Sequence, residues 1–264
     1  MRFRPYLALM KTTFKENMTY RLEFFSMLFE IAIGIVLLYS LWSAIFAASG
    51  SAVIEGFTFP MMITYISIVA ILRVVNSMGT EGKVEGDIKM GNIATKLTKP
   101  VSYPLWRFST ETGHKISSAL LTGVIGFVVA KIMFDIALPA SPFFFVSVAL
   151  GVIVSFLLSF IVAMWAFWTT GYIWGMRVVR EVITEVLSGA IIPLAFFPGF
   201  MKSVALALPF QAIINLPMSI YIGTISGWAI AGALLMQLSW IAGLIALAYA
   251  IWRISLRRVV VQGG

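Results

Sequence analysis

The chain has 264 residues, of which 60% are hydrophobic and only 11% charged, with a net charge of +8 and no cysteine. This balance excludes a soluble globular domain, in which about a quarter of residues are charged. The lack of cysteine excludes disulfide frameworks, thiolate metal sites and cysteine nucleophiles, and His114 alone can supply an imidazole.

A basic excess can mark a nucleic-acid binder, but basic residues beside membrane spans have a simpler origin in topology, so no nucleic acid is expected. The first twenty residues place Phe3, Tyr6, Leu7, Met10, Phe14 and Met18 three or four apart, with Arg4, Lys11 and Lys15 on the other face. That spacing predicts an interfacial helix over 1–20 lying in the membrane surface, against the alternative of a solvated tail. There is no early apolar core with a small-residue cleavage site, so no removable signal peptide is expected.

Apolar runs long enough to cross about 30 Å of hydrocarbon follow near 22–48, 57–80, 112–138, 143–174 and 225–252. The run over 182–222 is too long for one span and is cut by Pro193, Pro198, Pro209 and Pro217. Crossing twice would put Arg253, Arg257 and Arg258 outside, against the positive-inside rule. Crossing once and then re-entering over 193–222 gives six spans with both termini cytoplasmic, and leaves only Lys131 and Lys202 outside among the Lys and Arg residues. The alternative is a kinked fifth helix with a long outer loop. In the re-entrant form, the broken backbone must be buried in protein or face water.

Catalytic and metal chemistry find no motif: paired histidines, HExxH and carboxylates at helical spacing inside a span are all absent. No metal site is expected, and His114, beside Lys115, is read as interfacial. Glu30, nine residues past Arg21, would lie about 13 Å deep at roughly 1.5 Å per residue. It is either a functional intramembrane carboxylate or a group bonded to a neighbouring polar atom. Lys131 and Asp135, four apart, predict a surface pair, and Gly151, Ser155 and Ser159, also four apart, a face for close helix packing. No GxxxxGK[ST] phosphate loop exists, since Gly82-Lys83 has Ser77 in the first glycine position and Val84 after it.

The most polar stretch is EGKVEGDIKMGNIATKLTKPVSYP, residues 81–104. Glu81, Glu85 and Lys89 are four apart, so a helix here would show one charged face and set Ile88 and Ile93 against something apolar. Such a helix would be a docking handle; the alternative is a solvated loop.

The order of these parts resembles the permease subunits of ABC-2 type exporters, and in particular the small permeases of about 260 residues. The resemblance rests on two loose motifs. One is Glu85, Asp87, Gly91, Ile93, Leu97, Lys99 and Pro100 in the charged loop, where the approach through Asp87-Ile88-Lys89-Met90 is longer than the family pattern. The other is Pro193, Phe196, Phe197, Pro198, Pro209, Phe210 and Pro217 in the broken hairpin. It implies a single all-α polytopic transmembrane domain over 1–264, in the inner membrane, with six spans, an interfacial N-terminal helix and a re-entrant hairpin before the last span. It also implies the transmembrane subunit of an ATP-driven exporter, itself not an enzyme and without a cofactor of its own, since ATP and magnesium would sit on partner ATPase subunits. A second permease, the same or a different homologous chain, would complete the path among membrane lipids.

By the same resemblance, Lys89 and the rest of the 81–104 loop, including Glu81, form the ATPase-coupling element, with Arg177, Arg180, Glu181 and Glu185 as a second contact. The competing class is an ion-coupled secondary carrier or channel working without an ATPase, which would rest on Glu30 and the broken hairpin.

Overall fold

The computed structural model describes residues 4–17, 21–169 and 172–258, with backbone alone at 17, 21–25, 27 and 30. Its described residues are almost all helical: α1 (Arg4–Asn17), α2 (Arg21–Ser49), α3 (Phe59–Asn76), α4 (Thr80–Lys89), α5 (Asn92–Leu97), α6 (Tyr103–Ser118), α7 (Val124–Phe134), α8 (Phe143–Ala163), α9 (Trp174–Leu187), α10 (Gly199–Ala207), α11 (Asn215–Tyr221) and α12 (Ala229–Leu256). One two-residue hairpin, β1 (Val53–Ile54) with β2 (Phe57–Thr58), turns the chain between α2 and α3.

Five stretches among the described residues are long and apolar enough to cross a membrane: 31–49, 59–89, 103–134, 143–167 and 229–256. The chain is thus an all-α polytopic membrane protein. The third stretch starts earlier than its apolar run because α6, polar in sequence, joins α7 through a π turn at Ala119–Gly123. Its wider winding keeps the backbone bonds unbroken.

At the centre of the bundle is α3. Thr58 caps it by accepting from the Met61 N–H at 3.4 Å, with Pro60 in the first turn where no intrahelical donor is needed. Almost every α3 side chain from Met62 to Val75 is buried, against α2, α7 and α8. Two of its polar members are spent internally: Thr64 Oγ1 accepts from Ala137 N at 3.2 Å and Tyr65 donates to Gly189 O at 2.7 Å.

The chain between α8 and α12 differs from these five stretches. Helix α9 has 14 residues, about 21 Å at 1.5 Å per residue, too short to span alone. It stops at Gly189, which turns the chain at φ +86°, and Pro193, without an N–H to give, cannot continue it, so only a short 3-10 turn, Leu194–Phe196, follows. The chain continues to Phe196, whose ring packs on Trp42 and Phe57 with centroids 5.1 and 5.6 Å away. Both lie at the β-hairpin end of the bundle, so α9 plus this short continuation traverses it.

From there α10 and α11 form a helical hairpin that turns back into the bundle. Its outgoing limb ends back at the loop joining α7 to α8, where Ala140 N donates to Tyr221 O at 2.8 Å and Tyr221 donates to Ala137 O at 2.6 Å. Its tip lies deep in the bundle. Gln237 of α12 donates to Ala212 O at 2.7 Å and to Ser147 O at 3.0 Å, while Ser147 Oγ donates to Gln237 at 2.9 Å. These bonds satisfy a backbone carbonyl that the broken helix frees. Gly151 lets the tip come close: a Cβ there would stand 3.1 Å from the carbonyl oxygens of Ala212 and Ile213.

Helix α1 lies along α6, with Tyr6 accepting from Ser102 N at 2.8 Å. Its half-buried Tyr6, Met10 and Phe14 share a face, whereas Leu7, expected on it, is exposed with Arg4, Lys11 and Lys15, and Phe3 and Met18 lie outside the described residues. A Cβ on Gly113 would meet Met10 O at 2.4 Å. Gly113→Ala, which favours a free helix by about 1 kcal/mol, is therefore expected to displace α1. Faster proteolysis within residues 4–17 of the variant would show it; unchanged cleavage would refute the contact.

Candidate functional site

The polar stretch 81–104 folds as two short helices, α4 and α5, joined at Met90 and Gly91. Gly91 adopts φ +69°, which a residue with a Cβ enters only at a cost, so the turn needs glycine here. Val84 and Ile93 are buried, and Ile88 and Leu97 pack against the core. Apolar anchorage of the loop thus comes from four aliphatic side chains at helical spacing.

The charges are placed differently from a solvated face. Glu81 is completely buried: Ser159 of α8 donates to one carboxylate oxygen, and Arg180 of α9 approaches the other at 2.5 Å, an ion pair out of hydrogen-bond alignment. Asp87 is buried as well and accepts from Lys96, from Arg107 and, at 2.7 Å, from the Tyr103 hydroxyl. Tyr103 in turn stacks on Trp252 of α12 at 5.5 Å between centroids. Lys83 donates to the buried Glu111 at 2.9 Å, and the buried Lys115 to Ser77 Oγ at 3.2 Å.

The expectation of a single charged face through Glu81, Glu85 and Lys89 is corrected accordingly. Glu85 and Lys89 form the i,i+4 pair at 2.5 Å, with Lys89 also 3.9 Å above the Tyr172 ring. Glu81, one turn earlier, instead points into the protein, because α8 and α9 lie against that end of α4. What α4 and α5 expose is their turn: Met90, at 76% exposure, with Gly91, Asn92, Lys99 and Pro100. Lys99 lies 4.7 Å over the Trp106 ring.

Of the α9 group, Arg180 is the residue joined to α4. Glu181 is half exposed, 3.5 Å from Arg180 and 3.9 Å from Arg177. Glu185 meets Arg73 of α3 at 2.5 Å. Between these residues and the hairpin tip lies a cavity of about 290 Å³, reached by Arg180, Ile213 and Ile214. On its wall the side-chain oxygens of Asn76, Thr184 and Ser188 are buried without a protein partner. Such groups require water or a polar ligand.

In the hairpin, Pro193, Pro209 and Pro217 are buried, Phe196, Phe197 and Phe210 are half-buried, and Pro198 is exposed. Glu30 belongs to α2, but its side chain lies outside the described residues. Among the described residues, no three His, Asp or Glu side chains are grouped as a metal-ligand set. Lys131 and Asp135 pair at 2.7 Å, and the hydrogen bond from Lys131 holds the exposed Asp135 below the usual carboxylate range. Spacing did not single out Tyr103, Arg107, Arg73, Ser147 and Gln237, whose partners are distant in sequence; Arg73, Ser147 and Gln237 stand alone among apolar neighbours, a signal that the polar α6 does not give for Tyr103 and Arg107.

A charged two-helix loop is therefore wired by buried polar contacts into α6, α8, α9 and, through Tyr103, α12. Close by, the α10–α11 hairpin ends at a polar cavity. No curated protein and no solved structure matches the chain. The family model described as ABC-2 family transporter protein matches residues 24–263, nearly the whole sequence. By that match and by its helical membrane architecture, the chain belongs to the ABC-2 family of transporter proteins.

Proposed function

We propose that the chain is the permease subunit of an ATP-driven exporter, forming the translocation path with a second permease chain and driven by separate ATPase subunits. The observation that carries this reading is the wiring of the α4–α5 loop. A loop serving only as a solvated connection has no need for two buried carboxylates, each held by cations from other helices. A loop that must transmit force does, because motion at its exposed turn is then shared by the helices it is tied to.

In this reading the ATPase contacts Met90 to Asn92, Glu85, Lys89, Lys99 and Pro100, with exposed charges fixing register and partner choice more than affinity. Glu81–Arg180 carries displacement to α9, Asp87–Arg107 carries it to α6, and α9 with the hairpin tip opens or closes the path. Pro193, Phe196, Phe197, Pro198, Pro209, Phe210 and Pro217 shape that gate. ATP and magnesium are bound by the partner. The basic residues around α1, α4, α5 and the end of α12 face the cytoplasm, and α1 lies on the inner surface of the membrane.

The test is reconstitution in sealed vesicles. Transport is expected to require the ATPase and ATP and to persist when proton and sodium gradients are collapsed. Transport by the permease alone, driven by an ion gradient, would replace this reading with a secondary carrier.

A further inference from the structure

Between α3, the π turn and α8 lies a cavity of about 610 Å³, lined by Ile71, Val75, Ala119, Gly123, Phe127 and Phe145 among others. This is the size of a ligand pocket, in the range of about 300–1,000 Å³. No residue on its wall is charged, and its one hydroxyl, on Tyr221, already donates to Ala137 O. Ordered water needs two to four polar partners, so this space does not hold it. Nor is such a void left empty in a well-packed interior.

The cavity opens sideways, since its lining residues Val124, Leu138 and Phe145 are 53%, 67% and 65% exposed. In a membrane chain that opening faces hydrocarbon. Its volume is smaller than two turns of a neighbouring helix about 10 Å across would need, whereas a single hydrocarbon chain fits it.

A charge completes the site. Lys131 follows Val124 and Phe127 on one helical stripe of α7. Its ammonium donates to Asp135 at 2.7 Å and to Ile136 O at 2.8 Å, at the start of the loop whose Leu138 and Pro139 rim the cavity. Two of its three N–H groups are used; the third can meet a phosphate, while the exposed Asp135 carboxylate, 2.7 Å from the same ammonium, faces the amine of an ethanolamine headgroup.

We propose that this cavity is a phospholipid site: one acyl chain lies between α3, the π turn and α8, and the headgroup phosphate pairs with Lys131 at the rim. Ala119 and Gly123, the small residues of the π turn, leave the space that the chain fills. This site is separate from the polar cavity at α9, and neither ATP nor the orientation of the protein enters the inference.

The purified permease, in bilayer discs containing a phosphatidylethanolamine with a diazirine on its acyl chain, is irradiated and the labelled residues are mapped by mass spectrometry. Labelling of Ile71, Val75 and Phe127 is expected to exceed that of Leu235 and Leu238, exposed on α12, by about tenfold, the ratio for a modest binding preference. Filling the cavity by Ala119→Phe, or from the opposite wall by Val148→Trp, is expected to lower that labelling by about tenfold with α12 unchanged, and Lys131→Gln to lower it several-fold. Cavity labelling no stronger than that of α12 in the natural chain would overturn the proposal, whatever the variants do. So would full labelling in a folded, filled variant.

Discussion

Asp87→Ala is expected to remove most of the folded permease, whereas Glu85→Ala leaves it intact. The two carboxylates are two residues apart on the same short helix, and the sequence alone treats them alike. Asp87 accepts from Lys96, Arg107 and Tyr103 inside the protein. Its loss leaves the Arg107 guanidinium, 9% exposed, facing a phenol with no carboxylate partner of its own. Breaking a buried pair from one side costs about 3–5 kcal/mol. Glu85 has only its i,i+4 contact with Lys89, worth about 0.3–0.5 kcal/mol. Thermal unfolding in detergent, read by loss of the monodisperse peak, separates the two. An Asp87→Ala protein that unfolds no sooner than Glu85→Ala would mean that the contacts of Asp87 do not hold the loop.

This difference marks what the sequence makes legible. Long apolar runs identify the class and the five long apolar helical stretches, because hydrocarbon tolerates very few arrangements of backbone. Periodicity locates α4 and sets Ile93 inward. It does not say which wall stands opposite Glu81 or Asp87, since Ser159 and Arg180 come from helices far along the chain. Spacing of four shows that Gly151 and Ser159 share a face of α8. It does not show that the first receives the backbone of the hairpin and the second the carboxylate of α4. The helical extension through the π turn was hidden for a related reason: α6 is polar because it packs on α1 and α4, so hydropathy places the start of that crossing too late.

The second large effect concerns transmission rather than folding. Glu81→Arg places two cations beside Ser159 where the natural chain has an ion pair, and Arg180→Glu places two carboxylates there. Each single variant is expected to lower the amount of complex and, in the complex that still assembles, to uncouple it: ATP hydrolysis continues, but α9 no longer follows α4. The exchanged double variant, Glu81→Arg with Arg180→Glu, restores opposite charges, and Ser159 can serve either because its hydroxyl both donates and accepts. Neighbours in one network show coupling energies of about 1–3 kcal/mol, or roughly five- to 150-fold in transport recovered over the product of the single defects. Transport per ATP hydrolysed, measured in vesicles for all four proteins, is the readout, because a purely structural pair would change the amount of complex but not this ratio. A natural ratio in both single variants would place force transmission elsewhere, with Asp87–Arg107 and α6 the next contact to exchange.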